Sequence, residues 1–133
     1  MKISEATMVE VVTEASTKMS DPNYSAVMVG GFVQMQKVAA QFISAHEGEL
    51  GGAEAVVNTI FHTSLIALAF QRANNRSVPT LSFEDLDHVS DSDPNARLTR
   101  VQPAVHAYIT TNVEEESTRK LLMHMALAMD WAL

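Results

Sequence analysis

The sequence predicts an all-α fold: five main helices and one short helix in bundle-like or orthogonal packing. Three observations carry this. Apolar residues recur at i, i+3, i+4 and i+7 through most of the chain. The period-two alternation of a half-buried strand, closed by paired turn formers, is nearly absent. Helix starts are written twice alike, as Asp21-Pro22 and Asp93-Pro94, an N-cap residue followed by a proline whose missing amide donor is tolerated there.

The first helix is expected over 4–19, with Met8, Val11, Val12, Ala15 and Met19 on one face and Glu10, Glu14 and Lys18 opposite. The second starts at Pro22 and runs to His46, where Gly48 closes it. Its polar stripe is narrow (Asn23, Gly30, Gln34, Lys37, Gln41 and Ser44), and nearly all the remaining perimeter is apolar. Such a helix is either central to the chain or shared with another subunit. Gly30 and Gly31 in its middle cost about 1 kcal/mol each relative to alanine. Either a kink or the close approach of another backbone accounts for that cost.

Gly51-Gly52 breaks the chain before a third helix over 53–73, apolar all round from Leu65 to Phe70. The turn formers from Asn74 to Pro79 end it. From Ser77 to Ala96 the acids Glu84, Asp85, Asp87, Asp91 and Asp93 stand without a base, as in an exposed connection anchored by Leu81, Phe83 and Leu86. Ser82 with Asp85 has the form of a capping box and predicts one short helix over 83–89. The helix after Asp93-Pro94 turns Leu98, Val101, Val105, Tyr108 and Ile109 inward, places Gln102 and His106 outward, and bends at Pro103. The last helix opens on the pairs Glu115 with Arg119 and Glu116 with Lys120. Its core face is Leu121, Leu122, Met125, Ala128, Met129 and Ala132.

A faint internal echo runs through these elements. Asp21-Pro22-Asn23 recurs as Asp93-Pro94-Asn95, and each is followed by a helical hairpin with a histidine in its second helix, His62 or His124. The spacing between these landmarks differs, so the echo does not define a repeat of fixed period.

Composition bounds the function. The 133 residues are 47% hydrophobic and 19% charged, enough for a single helical domain over 1–133 with an aliphatic core. The lack of cysteine excludes disulfides, a thiol nucleophile and Cys-ligated metal. A net charge of -7 argues against general nucleic-acid binding. Glu5, Glu10 and Glu14 interrupt any secretory h-region, and the charge-free runs fall short of a membrane span, so a cytoplasmic protein without membrane contact is expected.

Motifs of helical enzymes are missing. The His-Asp pair of HD-type phosphohydrolases occurs only reversed, as Asp87-His88. The acidic repeats of MazG-type pyrophosphohydrolases are reduced to Glu84-x-x-Asp87. His46 reads as a cap on the last turn of its helix. His62 and His124 would approach one another if the two hairpins packed as a bundle, but without the carboxylates of a di-metal bundle. Glu84, His88 and Asp91 share one face of the short helix and are the best local candidates for a divalent cation. No cofactor is expected.

By elimination, the sequence favours a non-enzymatic interaction, scaffold or regulatory protein, working as a homodimer or with another protein. The candidate contacts are Tyr24, Met28, Phe32, Met35 and Phe42 on the second helix. The alternative is a helical domain that binds a small apolar ligand or a divalent cation.

Overall fold

The computed structural model describes residues 2–90 and 93–133. Among them the chain forms nine α-helices and no strand. The all-α class is as expected, but the count of helices is not. They are α1 (Glu5–Lys18), α2 (Tyr24–Met35), α3 (Lys37–Ser44), α4 (Glu47–Leu50), α5 (Ala53–Asn74), α6 (Phe83–His88), α7 (Pro94–Val101), α8 (Pro103–Asn112) and α9 (Glu116–Ala132).

The extra helices come from two breaks, each at a buried glutamine, and from a four-residue turn of helix. Gln102, at φ -141 and ψ 68, precedes Pro103, and the ring clash there disfavours the helical conformation. Gln36 has no proline after it, yet its backbone takes nearly the same shape, φ -128 and ψ 60. Both side chains are buried, so the outward placement of Gln102 is corrected. Gln36 Nε2 donates to Pro79 O at 3.0 Å, and its Oε1 accepts the Leu81 amide at 2.8 Å. Gln102 Nε2 donates to Asp130 at 2.8 Å, and its Oε1 accepts the Ile3 amide at 2.9 Å. A long polar side chain turned inward at a break thus satisfies a distant buried amide. Helix α4 then ends on Gly51 and Gly52, whose φ values of 104 and 127 suit glycine.

The core is built on α5 and α9, which pack against each other and between them touch every other helix. Ile66, Ala69, Phe70, Leu122, Met125, Ala128 and Met129 are fully buried at their contacts with the rest. By length and apolarity alone α5 could cross a membrane, but half of its most apolar window is buried inside this chain. On its polar side, Thr59 and Thr63 return their hydroxyl protons to carbonyls four residues back, at 2.7 and 2.8 Å. Arg72 near the end of α5 pairs with Glu10 at 2.9 Å and Glu14 at 2.7 Å, fixing α1 along it. That guanidinium, and then Lys18, hold the Glu14 carboxyl below the usual range. The expected pairs at the start of α9 do not form among the described residues. Arg119 instead donates to Val113 O and Thr110 O, because the free carbonyls at the end of α8 lie within its reach.

The two halves of the chain repeat one another. Helices α1, α2, α3 and α5 correspond to α6, α7, α8 and α9, and each packing within the first set has its counterpart in the second. The breaks at Gln36 and Gln102 are equivalent, with Phe32 and Leu98 buried four residues before and Ile43 and Ile109 buried seven after. Ile3 and Leu81 are equivalent too: each precedes a serine N-cap, Ser4 or Ser82, and gives its amide to the glutamine of the other half.

The halves are therefore crossed, not merely joined in series. The lengths reconcile as well. Ile3 and Leu81 are 78 residues apart, and Gln36 and Gln102 are 66 apart. The difference of twelve is the eight residues by which α1 exceeds α6 plus the four by which α2 exceeds α7. In that register Asp93 stands opposite Val27, so the two Asp-Pro-Asn segments are not equivalent positions.

Candidate interaction surface

Helix α2 carries a feature that this fold does not need. At 100 degrees per residue, Val33, Ala26, Gly30, Gln34, Val27, Gly31 and Met35 span an arc of about 200 degrees, and all seven are exposed. The arc holds no charge. Val27 is 68% exposed, Met35 66% and Val33 39%. The small residues Ala26, Gly30 and Gly31 lie among them and leave a depression between larger apolar side chains. A β-carbon added at Gly30 or Gly31 would meet nothing, so neither glycine accommodates a neighbour in this chain. Nor does either bend the helix, which is continuous from Tyr24 to Met35 and breaks only at Gln36.

The other half of the chain provides the comparison. In the register of the glutamine breaks, Val27, Gly31, Val33 and Gln34 of α2 correspond to Asp93, Arg97, Thr99 and Arg100 at α7. A solvated polar face satisfies the same packing, so the apolar face of α2 is a property of this helix and not of the architecture. Beside it, Met28, Phe32 and Met35 of α2 with Ala67 and Leu68 of α5 line a shallow groove of about 290 Å³, again without a charged residue.

The five contact candidates separate. Phe32 is buried, and Tyr24, Met28 and Phe42 are half-buried against the core. Tyr24 meets the edge of Phe61 at 6.2 Å, while Phe42 lies 4.8 Å from the ring of His46 and 5.1 Å from that of His124. Only Met35 of the five is on the open face. Val27 and Val33, with the glycines, complete that face. They were legible as apolar but not as exposed, since periodicity alone does not say which of two apolar sides the neighbours take.

His62 Nδ1 is hydrogen-bonded to the Tyr108 hydroxyl at 2.7 Å, and burial lowers the pKa of the imidazole and raises that of the phenol. His124 donates from Nε2 to Leu86 O at 2.8 Å. The two histidines have separate partners. His46 donates from Nδ1 to Phe42 O at 2.7 Å, consistent with a capping role. His88 stacks on Trp131, ring centroids 3.5 Å apart and planes at 17 degrees. Glu84 is exposed, and Asp91 lies outside the described residues. Among the described residues no group of three His, Cys, Asp or Glu side chains could hold a metal ion.

No protein-family model, curated protein or solved structure matches the chain.

Proposed function

We propose that the chain is a non-enzymatic interaction protein that works as a homodimer through the open face of α2. The observation that carries this reading is the uncharged arc from Val33 to Met35 around two bare glycines, at the place where the equivalent helix α7 presents Arg97 and Arg100.

A second copy is the occupant that charge favours. Each chain carries -7, so association of two copies is opposed least where charge is lacking, and Tyr24–Met35 is such a place. The flanks support an antiparallel pair. Asp21 lies before the helix and Lys37 after it, so a twofold axis near the helix centre brings Asp21 of each copy to Lys37 of the other. The small centre allows the two backbones to come close, which gives Gly30 and Gly31 the contact they lack in one chain. A stable contact of this kind buries at least about 1,000 Å² in total, more than one helix face supplies, and the adjoining α2–α5 groove extends the surface.

The chain contains no cysteine, which makes the reading testable by cross-linking. Gly30→Cys should oxidise to a covalent dimer at low protein concentration. Arg100→Cys, on the equivalent face of α7, should stay free of the cross-link in the same mixture. Equal, slow cross-linking of both variants would count against the α2 contact.

A further inference from the structure

We propose that the trough between α1 and α8 is a second docking site, which takes an amphipathic helix of another protein carrying a basic residue at the end that meets Glu5. Its volume is about 520 Å³, and Met8, Val9, Val12, Ala104, Ala107 and Tyr108 give it an apolar wall on both sides. The two helices start together, where the Ile3 amide meets Gln102 at 2.9 Å, and leave the space between them open to solvent. Val9 is 57% exposed there, a large apolar side chain in the open.

The repeat again shows that the fold does not demand this. The corresponding elements in the other half are α6 and α3. Asp87 and Ser90 stand there for Val9 and Val12, Gln41 for Ala107 and Lys37 for Pro103. The same register positions are polar in one half and apolar in the other. The difference marks a surface selected for contact.

Shape and charge identify the occupant. Small ligands are held in sites that enclose about 70–90% of their surface, whereas this trough is open along its length. A helix laid into it covers the apolar walls with its own apolar stripe and keeps its polar side in water. Glu5 is the only charged residue of the lining and has no ion-pair partner among the described residues. A lysine or arginine near one end of the guest helix supplies that partner. The α2 face is a different surface, so the two sites are occupied independently.

The test uses the full chain as bait for a displayed library of helix-forming peptides. Selected peptides should converge on apolar residues at i, i+3, i+4 and i+7 with a lysine or arginine near one end. Measured by fluorescence anisotropy, their affinity should fall by about tenfold or more in Val9→Asp and in Ala107→Glu. Both positions are exposed, so these variants keep the fold, which circular dichroism checks. Glu5→Lys should reverse the preference, favouring the same peptide with glutamate in place of its basic residue. Gly31→Arg should leave peptide binding unchanged, which separates this proposal from the dimer. No enrichment, or peptides that bind Val9→Asp and Ala107→Glu as tightly as the parent, would overturn it. So would an apolar dye that occupies the trough while no selected peptide displaces it.

Discussion

The Tyr108 hydroxyl on α8 is hydrogen-bonded to Nδ1 of His62 on α5 at 2.7 Å, tying one half of the chain to the other. The same crossing occurs in reverse where His124 of α9 lies against Phe42 of α3, with Phe42 and Tyr108 in equivalent positions. In one half the contact is a polar bond, and in the other it is ring packing.

The polar version makes stability depend on pH. Burial lowers the His62 pKa below its ordinary value, so as pH falls the unfolded chain takes up a proton that the folded chain refuses. The contribution is complete above the unfolded value of about 6.5 and is lost as pH falls toward the lower folded value. Urea unfolding across that window should show wild type losing more stability than His62→Gln. Parallel curves would remove His62 from the account. Tyr108→Phe, which leaves the imidazole without its partner, should cost about 1–3 kcal/mol at neutral pH.

Gln36 and Gln102 should behave as a matched pair. Replacing either by leucine keeps the volume but strands a buried amide, that of Leu81 or of Ile3. Each should cost about 1–3 kcal/mol in urea titration, with Gln102→Leu the worse because it also releases the Asp130 carboxylate. A neutral effect at both positions would mean that the crossed amide bonds contribute little.

The sequence made the helices visible and hid how they repeat. Periodicity located every long segment, and Ser82 with Asp85 forms the capping box its spacing suggested. Two breaks were missed or softened. Gln36, between Met35 and Lys37 and two residues after the exposed Gln34, gives no local sign that its partners are Pro79 and Leu81, more than forty residues away. The likeness of the halves was obscured because the visible echo, Asp-Pro-Asn, is not a shared helix start: Asp93 caps α7 with Pro94 at its first position, whereas α2 begins only at Tyr24, after Asn23, so the expected cap at Asp21 and start at Pro22 are corrected. The apolar excess of residues 22–46 was legible. Its division between core and solvent was not, because Met28 and Val27 differ only in which side the rest of the chain covers.

Divalent cations should not stabilise the protein. His88 lies against Trp131, no three described His, Asp or Glu side chains are placed to hold a metal ion, and ligand binding to the folded state would have to raise the melting temperature. Millimolar magnesium, calcium or zinc should leave the thermal midpoint unchanged. A rise that disappears in Glu84→Gln would restore the short helix as a cation site.

In the proposed dimer the face of α2 around Gly30 and Gly31 joins two copies. Sedimentation equilibrium at micromolar concentration tests it most directly, comparing wild type with Gly31→Arg, which copies the residue that α7 carries at the equivalent position. A β-carbon at Gly31 meets nothing in the single chain, so the variant should fold as before. Wild type should sediment at twice the 14.5 kDa chain mass and the folded variant at a single chain mass. A wild-type mass of one chain, or a variant that remains dimeric, would contradict it.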